Sequence, residues 1–375
     1  MAGIYVHIPF CKQKCSYCDF HFSTSLKHKS NLINALTTEI VARKEQLSAE
    51  INTIYFGGGT PSLLTNNELR MVVEAIYKNY NVANNIEFTL ESNPDDLTLQ
   101  KIKDLKNLGV NRLSIGVQSF FDEDLIFFNR AHCAKQAEQS ILMSQDHGFE
   151  NITIDLIYNT PTLTMQKWES NLDKIWQLSI PHLSAYTLTV EPNTILHHRV
   201  MTNQTIMPSD EQAIEQFKLL VQKTKNLGLT QYEVSNFGKT GYFSQHNSNY
   251  WKGEEYLGIG PSAHSYTGNK RWWNLANNNR YINALETGEI YFEEELIDER
   301  TAFNEYILTR LRTIWGIDMA YLRANFNKTF NDHFEKELQP YLNSSYIEQQ
   351  NNKIVLTNEG IMIADKITAD LFCIA

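Results

Sequence analysis

Up to about residue 190 the chain repeats one pattern, a short β-rich run followed by an amphipathic helical stretch. The runs lie at residues 4–8, 53–56, 86–90, 112–117, 151–157 and 182–189. Between them apolar residues recur at helical spacing, as in Leu69, Val72, Val73, Ile76, Tyr77 and Tyr80, and again in Trp168, Leu172, Ile175 and Trp176. Thr65-Asn66-Asn67-Glu68 and Ser209-Asp210-Glu211-Gln212 have the form of helix starts, where a hydroxyl and a side chain three residues on can satisfy orphan N–H groups. Strands joined by single helices imply parallel pairing through right-handed crossovers. The pattern predicts an α/β fold, a partial (β/α)6 barrel over residues 1–230, with ligands bound at the C-terminal ends of its strands.

After residue 189 the alternation weakens. Residues 230–290 are rich in Asn, Gly and aromatic residues and read as loops and irregular strands, so 231–292 is expected to be a connecting segment. Over 293–375 helical stretches return at 300–312, 318–326 and 330–342. A hairpin of 346–349 and 354–357, turned by Asn351-Asn352, and a last helix after Asn358 complete the chain. Three helices and a hairpin make a mostly helical, winged-helix-like module, a shape that carries no function with it.

A net charge of −10 argues against nucleic acid or an anionic membrane as the main partner, because phosphate contacts need clustered Lys and Arg. No apolar run approaches the roughly 18 residues that span a bilayer. The first β-rich run begins almost at once, with none of the parts of a secretory signal. The expected location is the cytoplasm.

Three of the five cysteines crowd behind the first run, in His7-Ile8-Pro9-Phe10-Cys11-Lys12-Gln13-Lys14-Cys15-Ser16-Tyr17-Cys18. An odd count so clustered is no disulfide framework. Cys133 and Cys373 stand alone and read as small, half-buried apolar residues. Three thiolates on one loop can hold three irons of a cubic cluster and leave the fourth open to an outside ligand. The alternative is zinc with His7 or His21 as fourth ligand, although zinc sites usually pair two such knuckles far apart in sequence.

C-x3-C-x2-C after the first strand of a β/α chain resembles the radical SAM superfamily. The resemblance implies a 4Fe-4S cluster on Cys11, Cys15 and Cys18. Its open iron would be chelated by the amino and carboxylate groups of S-adenosylmethionine (SAM), which is then cleaved to a 5′-deoxyadenosyl radical. Further motifs follow in order. In Gly57-Gly58-Gly59-Thr60-Pro61-Ser62 the glycines alone could be a flexible strand end, or could let the backbone approach a ligand. The resemblance sets Gly58, Gly59 and Thr60 at the methionyl amino group. It sets Glu91 of Glu91-Ser92-Asn93-Pro94 at the ribose and Gln118, ending the fourth strand, at another polar group of SAM. Arg130, read as lying on the following helix, would meet the methionyl part. Asp155 sits in an apolar run where an unpaired charge is costly, and would meet the adenosine side. Tyr5 is a further SAM contact.

Within the superfamily, residues 5–11, 57–62 and Asp155-Leu156-Ile157-Tyr158 resemble two related groups, the oxygen-independent coproporphyrinogen III oxidases and the HemW haem chaperones. The oxidases carry a fourth cysteine two positions after the third, where this chain has Phe20, and an extension ahead of the first strand. Both differences speak against decarboxylation. His246-Asn247-Ser248-Asn249-Tyr250-Trp251 is similar to the H-N-x-x-Y-W haem motif of the chaperones, which implies His246 as an axial ligand. An imidazole suits haem iron and flanking aromatics can pack on a porphyrin. Apart from the resemblance, a histidine in such a polar, aromatic loop reads as a hydrogen-bonded surface residue. Gly258-Ile259-Gly260-Pro261-Ser262-Ala263-His264-Ser265 follows where the resemblance expects it.

The expected function is therefore that of a haem chaperone carrying a SAM-ligated cluster, with coproporphyrinogen III oxidation as the alternative. No catalytic acid or base for a porphyrin substrate is identifiable, so whether the chain is an enzyme stays open at this point. The partners implied by the resemblance are haem and acceptor haemoproteins such as respiratory enzymes at the inner face of the cell membrane. An electron donor such as a flavodoxin or ferredoxin is implied as well. Without a C-x-x-C-H segment, thioether attachment of haem has no support.

Overall fold

The computed structural model describes residues 2–374. Six parallel strands pair in chain order: β1 (Ala2–Ile8), β2 (Ile51–Gly58), β3 (Val82–Ser92), β4 (Arg112–Gln118), β5 (Asn151–Tyr158) and β6 (His182–Thr187). Helices carry the chain from each strand to the next. Side-chain alternation sets which face is which. Along β1, Ala2, Ile4, Val6 and Ile8 are buried in the apolar core, while Tyr5 faces the inside of the curve. Burying an aliphatic side chain contributes roughly 1.5–3 kcal/mol, so a one-residue slip of β1 would expose three such groups at once.

The curve does not close into a barrel. Past β6 lie β7 (Thr230–Gln231) and β8 (Asn236–Gly238), with β8 antiparallel to β6. At the opposite edge β9 (Glu255–Ile259) runs parallel to β1, and β10 (His264–Tyr266), β11 (Lys270–Asn274) and β12 (Phe292–Leu296) continue antiparallel beyond it. The result is one sheet of twelve strands among the described residues. The segment read as loops and irregular strands thus adds short strands to that sheet, and it also holds two helices, Gln245–Lys252 and Asn278–Thr287. Its strands are two to five residues long, too short to show a clear period of two.

A buried polar cluster ties this extension to the barrel. Glu39, on the helix Lys29–Ala42, is 0% exposed and pairs with Arg43, 2% exposed, at 3.0 Å. Glu39 accepts from the Gly260 N–H (2.8 Å), from Asn274 Nδ2 (2.8 Å) and from the Tyr281 hydroxyl. Arg43 donates to Asn274 Oδ1 (2.8 Å) and the Tyr291 hydroxyl (3.1 Å), with its guanidinium over the Phe292 ring.

Helices Glu299–Leu311, Met319–Asn325 and Lys328–Leu342 pack with a small sheet of β13 (Ile317–Asp318), β14 (Ile347–Gln350) and β15 (Lys353–Leu356). Their own core includes Phe303, Ile307, Leu322, Phe334 and Leu338. The hairpin turns at Asn351, whose φ of 56° is a left-handed value asparagine tolerates. The α/β class and the helical, winged end thus follow the expectation. The helix faces follow it with two corrections, since Tyr77 is 47% and Trp176 71% exposed. Both lie at the margin of an apolar stripe centred on Leu69, Val72 and Ile76 in one helix and on Trp168, Leu172 and Ile175 in the other. The Thr65 capping box forms in both directions, whereas Ser209 accepts from the Gln212 N–H with no return bond.

Candidate functional site

The loop after β1 is held from several sides. Phe10 is buried beneath it. Ser16 donates through its N–H to Phe128 O (2.9 Å) and through its hydroxyl to Phe127 O (3.0 Å), while its carbonyl accepts from the Leu196 N–H (2.7 Å). Gln13 reaches Asn129 O and Asn129 reaches back to Lys14 O, both at 2.7 Å. Lys12 pairs with Asp95 and Asp96. The backbone is thus fixed while the cysteine side chains stay free, each half-buried. Cys11 Sγ accepts from the Thr60 hydroxyl (3.5 Å), and Cys15 Sγ from Arg130 Nη1 (3.3 Å). Burial pushes the Cys11 thiol up, and that of Cys18 up to about 11. A metal would therefore displace protons on binding.

The glycine run after β2 is needed by its neighbours. A Cβ at Gly59 would lie 2.7 Å from Phe10 O, and one at Gly58, whose φ is +102°, would lie 2.5 Å from the His7 ring. Only glycine lets the end of β2 sit so close to the cysteine loop. Gly58 also donates its N–H to Glu91 Oε2 (3.1 Å), whose Oε1 accepts from the Tyr55 hydroxyl (2.8 Å).

One cavity of about 610 Å³ collects these groups. Its wall includes Cys11, Cys15 and Cys18, and with them Tyr5, Gly58, Gly59, Thr60, Glu91, Gln118, Arg130, Asp155 and His246. All twelve residues singled out in the sequence therefore meet at one place, at the C-terminal ends of the parallel strands and below. Gln118 ends β4 at φ 67°, a conformation disfavoured for a residue with a side chain and often found at functional sites. Arg130 is placed differently from its expectation. The helix Asp122–Phe127 stops before it, and it lies in the turn that follows. From there it spans Cys15, Asn93 Oδ1 (2.5 Å) and Gly116 O (2.8 Å). Sequence reasoning missed Tyr55 and Tyr186, which share the wall, and named Asn93 and Tyr250 only within their motifs. Tyr55 had a usable signal, since it lies two residues before Gly57 on the same face of its strand.

His246 lies on a helix, Gln245–Lys252, and is 2% exposed, so it is no loop or surface residue. Glu87 accepts the N–H groups of Gln245 and His246, both at 3.0 Å, at the helix N-terminus, where a carboxylate is favoured. Both ring nitrogens are occupied. Nδ1 bonds the Thr53 hydroxyl (2.8 Å) and Nε2 the Tyr250 hydroxyl (2.7 Å), while the ring stacks on Tyr55 at 5.0 Å. Burial lowers its pKa to about 3, so the ring is neutral. In this arrangement it offers no nitrogen to an iron unless one of those bonds breaks.

The donor set can be tested against a cluster. Among the described residues no three His, Cys, Asp or Glu side chains converge as one metal ion would require. His7, a candidate zinc ligand, instead bonds Tyr5 (3.0 Å) and His21 O (3.0 Å). Three free thiols spread around an open cavity, two of them receiving polarised hydrogens, fit the corners of a cubic cluster.

Glu91 and Asp155 face the cavity and are otherwise enclosed. Burial pushes Glu91 up to about 7, with the Asp155 charge adding, and pushes Asp155 up to about 6. Each acid holds its proton more tightly folded than unfolded. The stability so gained is full below the unfolded values of 3.8 and 4.5 and is lost as pH rises through about 6 and 7. Glu91→Gln in the metal-free chain is accordingly expected to gain stability relative to wild type between about pH 5 and about pH 8. Urea midpoints at the two pH values check this, and a constant difference would mean that Glu91 ionises as it does in water.

The Radical SAM superfamily profile matches residues 5–175, and that of the HemN C-terminal domain matches residues 297–363. The heme chaperone HemW of Bacillus subtilis (strain 168) is 32% identical over 371 residues, 98% of each chain. The heme chaperone HemW of Escherichia coli (strain K12) is 35% identical over 269 residues, 70% of this chain and 69% of that one. The solved coproporphyrinogen III oxidase HemN of Escherichia coli superposes with a TM-score of 0.86, covering 99% of this chain and 89% of its own. At 22% identity that likeness concerns the fold.

Proposed function

The chain belongs to the HemW family of radical SAM proteins, and from that premise we propose that it is a haem chaperone. It binds haem, carries a 4Fe-4S cluster with SAM upon it, and delivers the haem to acceptor haemoproteins. One observation carries the proposal: three free thiols and the eight SAM-contact positions open into the same cavity.

In this reading Cys11, Cys15 and Cys18 hold three irons. The hydrogens that Thr60 and Arg130 direct at sulfur offset the negative charge of the thiolates. When bound, the cluster supplies the single electron that SAM chemistry needs, drawn from a flavodoxin or ferredoxin. Tyr5, Gly58, Gly59, Thr60, Glu91, Gln118, Arg130 and Asp155 bind and orient SAM. Glu91 is held for this by Tyr55 and Gly58, and Arg130 by Asn93 and Gly116. Residues 1–230 form the cluster and SAM unit, 231–292 the haem-binding segment and 293–375 the winged module. The protein works in the cytoplasm and meets respiratory acceptors at the inner face of the membrane. Among the described residues no helix is long and apolar enough to cross one.

Phe20, 67% exposed, stands in the cavity wall at the position where the oxidases carry their fourth cysteine. Protein reconstituted anaerobically with iron and sulfide is therefore expected to bind added hemin and to release no carbon dioxide from coproporphyrinogen III with SAM and reductant. Absorbance titration and product analysis on one sample check both. Turnover without stable hemin binding would replace the chaperone reading by the oxidase.

A further inference from the structure

We propose that the haem iron is ligated by His264, on the sheet extension beside the SAM cavity, while His246 serves the cavity wall. This rests on the chaperone reading and states where its cargo sits.

An axial ligand must present an imidazole nitrogen with a free lone pair to a flat molecule approaching from outside. His246 is enclosed with both nitrogens bonded. His7 is 6% exposed, and its nitrogens bond Tyr5 and His21. His182 is 1% exposed, and its nitrogens bond Thr153 and Tyr232. His264 differs from these three on both counts. Its side chain is exposed, and among the described residues neither ring nitrogen has a hydrogen-bond partner.

The strand register shows what surrounds it. His264 pairs with Trp273 across β10 and β11, and the two rings stack at 6.0 Å with planes 26° apart. Tyr266, two residues on, shares that face of the sheet with its partner Tyr256, at 6.1 Å and 26°. Tyr256 lies opposite Gly3 of β1, so this aromatic face continues the inner face of the barrel. β10 is two strands from β1, roughly 10 Å at the usual strand spacing, and His264 is absent from the lining of the SAM cavity. A porphyrin on this face can lie beside a filled cavity without displacing its contents. Flat rings flanking an exposed imidazole are what a planar, largely apolar iron tetrapyrrole would recognise. Glu293 and Glu295 occupy the far edge of the same face, where Arg271, opposite Tyr266, pairs with Glu295 and Glu305.

The glycines before His264 are explained by the same placement. A Cβ at Gly258 would come within 2.0 Å of His264 O, and one at Gly260, at φ +103°, within 2.6 Å of His7 O. They allow the strand carrying His264 to press against β9 and the turn before it against the end of β1.

The test uses the full chain and hemin, read by the Soret band and by electron paramagnetic resonance for imidazole ligation. His264→Ala, at an exposed position, is expected to lose the imidazole signature and to bind hemin about tenfold or more weakly, and free imidazole should restore the signature. Metal-free protoporphyrin IX should bind wild type and His264→Ala alike. His246→Gln should keep the hemin spectrum and weaken SAM instead. A wild-type spectrum and affinity in His264→Ala, or loss of ligation in a folded His246→Gln, overturns the assignment. If the wild type binds no hemin at all, the chaperone reading fails and this assignment with it.

Discussion

Replacing Cys15 with alanine is expected to take the reconstituted protein from about four irons per chain to almost none, and to abolish the broad absorption near 400 nm, roughly the energy of thiolate-to-iron charge transfer. The loop leaves two thiols, and nothing nearby is poised to take the place of the third. Cys133 opens the helix Ala134–Asp146 and lines no part of the cavity, and Cys373 lies near the other end of the chain. The backbone should hardly notice the change. Ser16, next in sequence, keeps its bonds to Phe127, Phe128 and Leu196, and Asn129 still holds Lys14. Arg130 loses a sulfur acceptor but keeps Asn93 and Gly116. Iron analysis and circular dichroism on the same sample separate loss of the cluster from loss of the fold. Full iron content in a folded variant would remove the cluster from this loop.

The second large effect is structural. Arg43→Met should destabilise the chain by about 3–5 kcal/mol, the usual consequence of leaving one member of a buried pair uncompensated. Glu39 would remain at 0% exposure without its counter-charge. Burial already pushes its carboxyl up even beside Arg43, so the variant would take up a proton there. The damage should fall on the extension, because Gly260, Asn274 and Tyr291 all bond to this pair. Pairing the change with Glu39→Gln is expected to recover part of the loss. Urea unfolding reads both variants, and a change under about 1 kcal/mol would mean that the pair adds little beyond packing.

The barrel and its cavity were legible because each signal was local and repeated. Strand and helix alternate for six rounds, and the residues at strand ends lie where a parallel sheet must gather them. Hence Tyr5, Glu91 and Asp155, far apart in sequence, share one wall. What stayed hidden depended on distant partners. Nothing local to Gln245 announces that Glu87 will cap its helix, or that Thr53 and Tyr250 will claim both nitrogens of His246. A composition rich in Asn and aromatic residues looks like loop until β1 offers β9 an edge to pair with. Arg130 was misplaced by a smaller margin, since a helix only six residues long ends before reaching it.

That pairing of β9 with β1 also orders events in time. The 246 residues between Ile8 and Glu255 must be synthesised before the two strands can meet, roughly 12–50 s of translation. Until then the outer edge of β1, flanked by Ile4 and Val6, has no neighbour and is open to mispairing with another chain. Strands β1 to β6 and the cysteine loop are all made first, so the nascent protein can shape its iron site before the face carrying His264 exists. Closing the edge of β1 and completing that face are then a single late step. A chain cut short there would have its thiols in place but still lack His264.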